Sequence, residues 1–311
     1  MEADMNKKQI VKYLLFVFIT AYAIQIPASI FTVKHPDTFG LSVFQVSIMV
    51  VMFTPFFGAL FAKGNFKGIG FKPKFKGCAY LIPLCFFGPQ IIAALGAVLF
   101  YLIFPDMFDL SGSYMQSSLN GSGDFIKILE SQGISYPVYA AIVILQSVTY
   151  APIINMLLAL GEEVGWRGFL YPELNKGMGK VPTWLLGGII WGAFHFPIMV
   201  ISGYEYGTEY FGFPIVGMII FCIFTILLGL IIEIVYDKTK CIWYPALLHG
   251  AVNAGNFVIL FYNVNDVDKA NRLTIFGPGY NGLIGGIPFA VIAIVLAVIV
   301  LKKKKANDAV K

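Results

Sequence analysis

Eight continuous apolar runs constrain this chain more than any other feature of its sequence. They lie at 12–31, 41–62, 77–104, 137–161, 183–202, 213–235, 241–262 and 282–301. Runs of about 20 residues match the length a helix needs to cross the hydrocarbon of a bilayer. Only helices and closed barrels satisfy their backbone polar groups there. Barrel strands would alternate over short segments instead. The expected fold is an all-α polytopic membrane protein with about eight transmembrane helices. Composition agrees, with 58% hydrophobic residues against 13% charged. So few charges could not cover a soluble domain of 311 residues. Disorder is excluded by the same apolar excess. Pro83, Pro89 and Pro152 are expected kink sites.

Basic residues alternate with the runs. One side holds Lys7, Lys8, Lys12, Lys63, Lys67, Lys72, Lys74, Lys76, Arg167, Lys176, Lys180, Lys238, Lys240, Lys302 to Lys305 and Lys311. The other holds only Lys34, Lys127, Lys269 and Arg272. By the positive-inside rule both termini are cytoplasmic. The net charge of +5 follows from those loops and needs no nucleic-acid partner. The first run is expected to remain as an uncleaved helix, being longer than a signal peptide's apolar region. Cys78, Cys85, Cys222 and Cys241 have no metal-ligand or disulfide spacing and read as small buried hydrophobes. Asn120–Gly121–Ser122 has the form of a glycosylation sequon. In a Ser/Gly-rich loop it reads as accidental.

Ionisable groups inside apolar runs are costly, so each is a functional candidate. Glu163 and Arg167 stand at i and i+4 with the acid first, the favourable order for an ion pair. Glu162 does not share a face with Arg167 and is left to meet something else. His249 and Asn253 are also four apart, so both side chains point to one side of their helix. His195 comes from a different run. A glutamate, two histidines and an asparagine from three helices can converge. Their depths do not coincide on straight helices, because Glu162 is expected near the cytoplasmic surface.

These residues resemble the CAAX protease and bacteriocin-processing family, in particular archaeal-type homologues of the type II CAAX prenyl endopeptidase. Glu162–Glu163–Val164–Gly165–Trp166–Arg167 is similar to its EExxxR motif. His195 stands where the family has FxxxH, with Trp191 in place of the phenylalanine. His249–Gly250–Ala251–Val252–Asn253 is similar to its HxxxN-type motif. The resemblance implies an intramembrane endopeptidase that removes the C-terminal tripeptide of a prenylated CAAX protein or peptide reached through membrane lipid. Glu162 and His195 would activate water, while His249 and Asn253 would stabilise the oxyanion. Glu163 and Arg167 would support the site and steer the substrate carboxylate. No cofactor is expected, and the site is expected to open to the cytoplasm. The whole chain, 1–311, is expected to form one integral membrane domain with its catalytic core at about 137–262. Two alternatives use the same residues differently. Glu162, His195 and His249 could bind a catalytic zinc, or the chain could be a non-enzymatic transporter or immunity-type membrane protein.

Overall fold

The computed structural model describes residues 5–119 and 124–309. The sequon at Asn120 and the terminal Lys311 lie outside the described residues. Helices α1 (Lys7–Lys34), α2 (Thr38–Val51), α3 (Thr54–Lys63) and α4 (Leu81–Ile103) form the first half. Short helices α5 (Ser113–Ser118) and α6 (Phe125–Ser131) follow in a surface segment. The second half comprises α7 (Tyr136–Ser147), α8 (Ala151–Gly165), α9 (Tyr171–Met178), α10 (Lys180–Phe194), α11 (Phe196–Ser202), α12 (Ile215–Thr239), α13 (Trp243–Ala254), α14 (Val267–Leu273) and α15 (Ile287–Ala309). Among the described residues the only β pairing is an isolated bridge between Phe108 and Tyr262.

Among the described residues, four segments are long and apolar enough to cross a membrane: Lys7–Lys34, Thr38–Lys63, Leu81–Ile103 and Ile215–Thr239. Two bent pairs, α6 with α7 at 95° and α10 with α11 at 41°, raise the number to six if each is one span. Apolar stripes such as Leu84, Ile91, Leu95 and Leu102 of α4 are exposed. Water would not tolerate such stripes, but lipid does. The chain is an all-helical integral membrane protein with four to six candidate spans among its described residues. The remaining apolar runs are broken by identifiable residues. Pro152 sits in the first turn of α8, where a missing N–H costs nothing, so it begins a helix rather than kinking one. Pro83 likewise lies in the first turn of α4, while Pro89 stays inside that helix. Helix α13 gives way at Gly255 to a tight 3₁₀ segment, Gly255–Phe261. Helix α15 starts only at Ile287, so its apolar part is short before Lys302.

The largest departure concerns α8. A π-turn, Trp166–Leu170, joins it to α9 with helical backbone throughout. The combined helix therefore runs from Ala151 to Met178. Glu162 lies 16 residues before its end, roughly 24 Å at the α-helical rise. Both glutamates are thus deep in the bundle, at 2% and 0% exposure. The expectation of a site residue near the surface is corrected, and with it the mismatch of depths.

The bundle has two chemically distinct ends. At one, Ile242 N–H donates to Gly70 O at 3.1 Å, Tyr244 Oη to Lys74 O at 2.8 Å, and Lys180 pairs with Asp237. This is the lysine-rich end. At the other, Asp109 N–H donates to Phe261 O at 2.8 Å and Asn263 N–H to Met107 O at 2.9 Å, and Tyr206 Oη donates to Asn281 O at 2.7 Å. Helix α12, with 25 residues, separates the ends by about 37 Å.

Two glycines allow close helix approach. A Cβ on Gly250 of α13 would lie 2.3 Å from Met156 N of α8, and one on Gly188 of α10 would lie 2.4 Å from Ile226 Cα of α12. Small residues at such contacts let backbones approach where lipid supplies no hydrophobic drive.

Candidate active site

Helix α8 presents Glu162 and Glu163 on adjacent faces, and the two carboxylates do different things. Glu162 Oε2 accepts from Trp166 Nε1 at 3.1 Å and from Trp191 Nε1 at 2.6 Å. Its Oε1 makes no hydrogen bond among the described residues, and the side chain borders a cavity. Glu163 Oε1 accepts from Arg167 Nη1 at 2.9 Å and meets His249 Nδ1 at 2.8 Å. The i, i+4 pair expected from sequence is present and fully buried.

Arg167 itself is 0% exposed. Its guanidinium lies between the Tyr171 and Trp191 rings, 4.7 and 4.4 Å from their centroids. It does not border the cavity, so the expected steering of a substrate carboxylate by Arg167 is corrected. Its physical role here is to balance the buried charge of Glu163. An unpaired carboxylate at this depth would be strongly unfavourable.

His195 stands at the bend between α10 and α11. Pro197 has no N–H to offer the Ala193 carbonyl, and Tyr22 Oη of α1 donates to it at 2.7 Å instead. Gln25 Nε2 donates to Phe194 O at 2.9 Å. These bonds hold the bend. His195 Nδ1 lies 3.0 Å from Trp191 O. A carbonyl only accepts, so Nδ1 carries the proton and Nε2 keeps its lone pair in the neutral ring. The imidazole is wedged edge-on between Phe194 and Phe221.

His249 packs edge-on against Trp191, with ring centroids 5.1 Å apart. Its Nδ1 donates to Glu163, which turns Nε2 away from that carboxylate. Asn253, one turn further along α13, is exposed to the same cavity. Glu162, His195, His249 and Asn253 thus border one cavity of about 730 Å³. Glu163 and Arg167 stand behind it.

Three contacts at the site escaped the sequence reading. The indoles of Trp166 and Trp191 both donate to Glu162. Trp166 at i+4 from Glu162 was a visible signal. The contact from Trp191 depends on how α10 meets α8. Glu163 reaching His249 was equally hidden, since the two are 86 positions apart.

The cavity walls also include Tyr114, Tyr204, Glu205, Asn271 and Asn281, at the end remote from the lysine-rich loops. Toward the lysine-rich end, the fully buried Trp166, Arg167 and Tyr171 fill the space. The cavity lining thus reaches the end of the bundle opposite the lysine-rich loops.

A membrane-embedded helical bundle with a Glu/His/Asn cavity is the class these features define. Residues 143–255 match the family model described as Type II CAAX prenyl endopeptidase Rce1-like. CAAX prenyl protease 2 of Methanococcus maripaludis is 30% identical over 110 residues, covering 34% of this chain and 40% of that relative. The similarity thus spans less than half of either chain. The matched segment carries all six motif residues from Glu162 to Asn253, and the resemblance to CAAX proteases stands on it.

Proposed function

We propose that this chain is an intramembrane endopeptidase that removes the C-terminal tripeptide of prenylated CAAX proteins. The observation that carries this reading is the gathering of Glu162, His195, His249 and Asn253 around one cavity, on the segment similar to CAAX prenyl proteases. Water held between Glu162 Oε1 and His195 Nε2 gives a proton to Glu162 as its oxygen attacks the scissile carbonyl carbon. The oxyanion accepts hydrogen bonds from Asn253 Nδ2 and His249 Nε2. To donate from both nitrogens, His249 carries two protons, and Glu163 is its counter-ion. As the C–N bond breaks, Glu162 passes its proton to the departing amine, releasing tripeptide and a new carboxylate. The indole donors position Glu162 and leave Oε1 turned to the water. Removing one oxyanion donor typically lowers kcat by about 10²–10³-fold.

Metal-free hydrolysis fits this donor set better than zinc. Glu162 Oε2 is already held by two indoles. Among the described residues no three His, Cys, Asp or Glu side chains are placed to hold a metal ion.

The finer architecture belongs to the same proposal. The catalytic core is 137–262 within a single membrane domain, the broken runs pair into an eight-span bundle, and the lysine asymmetry puts both termini in the cytoplasm.

Cleavage of a farnesylated CAAX peptide by detergent-purified protein tests the activity, with Glu162→Gln beside it and 1,10-phenanthroline in parallel. The expected result is cleavage that is lost in the variant and unaffected by chelator. Loss with chelator and recovery on adding zinc would replace the mechanism. No cleavage by the unaltered protein would remove the proposed activity.

A further inference from the structure

Among the described lining residues, the one ionisable side chain outside the Glu162, His195 and His249 group, apart from tyrosines, is Glu205. It lies on the loop between α11 and α12, at the end of the cavity remote from the lysine-rich loops. Asn281 Nδ2 donates to its Oε2 at 2.8 Å. The same asparagine's carbonyl accepts from Tyr206 Oη, so the loop is tied on both sides and Glu205 is held in place. Its Oε1 makes no hydrogen bond among the described residues. The described lining contains no lysine or arginine. A substrate's terminal carboxylate therefore meets no lysine or arginine there. A substrate cation meets a fixed carboxylate.

Resting on the proposed peptidase reading, we infer that Glu205 is a specificity-determining residue that binds a lysine or arginine in the segment preceding the lipid-bearing cysteine. Glu205 lines the same cavity as Glu162, so a substrate extended along that lining meets it. With the scissile bond beside Glu162 and the body of the substrate outside the cavity, the segment between them runs along the lining that includes Glu205. Prenylated CAAX ends usually carry basic residues just upstream of the cysteine, so the cation is available where the carboxylate stands.

Burial pushes the Glu205 carboxyl up to about 7, against the donor Asn281 that lowers it. The titratable groups around it are Tyr114, Tyr204 and Tyr206, none of which supplies a cation. The carboxylate that reads the cation is therefore the minor form at pH 6 and the major form at pH 8. The preference should grow across that interval.

The test uses two farnesylated peptides that differ only in three lysines or three glutamines before the cysteine. The full-length protein in detergent is expected to favour the lysine peptide by about tenfold in kcat/KM, carried by KM, as for one partly desolvated charge pair. In Glu205→Gln that ratio should fall to near one. In Glu205→Lys it should invert in favour of a peptide bearing three glutamates. Rising salt should shrink the ratio in the unaltered protein only. Equilibrium binding of the same peptides carrying a fluorophore reads the preference even if no bond is cut. Failure of catalysis and failure of the Glu205 assignment are thus separate results. A lysine preference that is absent, or that survives in Glu205→Gln, overturns the assignment.

Discussion

One carboxylate oxygen, Glu163 Oε1, joins α8 to its own π-turn through Arg167 and to α13 through His249. From sequence spacing Glu163 was the neutralised member of the pair and Glu162 the free one. That division holds for Arg167, but Glu163 also fixes the His249 ring. The two glutamates should therefore fail differently. Glu162→Gln keeps the packing and should lose turnover while its thermal unfolding midpoint stays near that of the parent. Glu163→Gln leaves Arg167 charged, buried and without its counter-ion, which typically costs about 3–5 kcal/mol. It should lower the midpoint by several degrees and reduce kcat less than Glu162→Gln does. Differential scanning of both variants beside peptide cleavage separates the two. Equal midpoints would remove the structural role given to Glu163.

At the scale of elements, the helix carrying both glutamates does not end where its apolar run ends. Five residues in a π-turn carry it on to Met178. Such turns recur at functional sites, and here the turn holds Trp166 and Arg167 against the two carboxylates. The i, i+4 pairing was legible, because it depends only on local helical geometry. Continuation of the helix through Arg167 was legible too, but its extension to Met178 was not, because it depends on how the turn packs against its neighbours. Helix α13 shows a second element-scale condition. Gly250 stands between His249 and Ala251 and admits the α8 backbone, so His249 reaches Glu163 only if position 250 stays small. Gly250→Ala is expected to push α13 off α8 and lower both the unfolding midpoint and cleavage. Gly88→Ala in α4 meets nothing within 4 Å and should be neutral or slightly stabilising, since alanine favours helix by about 1 kcal/mol. A Gly250→Ala variant as active and stable as the parent would show that the close approach is dispensable.

For the whole molecule, the opposition of the lysine-rich loops and the loop that carries Glu205 gives a sidedness test. A cysteine at Lys67 and one at Thr208 should react with a membrane-impermeant maleimide from opposite sides of the membrane. The charge asymmetry assigns Lys67 to the cytoplasm, so Thr208→Cys is expected to label in intact cells and Lys67→Cys only after permeabilisation. Labelling of both from one side would contradict the architecture. The reverse pattern would set aside the charge rule for this chain.

Taken alone, the sequence determined the membrane class, the alternation of basic loops, the motif residues and the pairs one helical turn apart. Each of these depends on local composition or on the 3.6-residue repeat, which a chain carries wherever it folds. Tertiary structure decided the rest: the indole donors on Glu162, the grip of Glu163 on His249, the burial of Arg167 away from the cavity, and the loops that complete the cavity lining. Those contacts join residues tens of positions apart. They depend on where prolines and glycines break the helices and how closely the resulting pieces pack, which no single segment encodes.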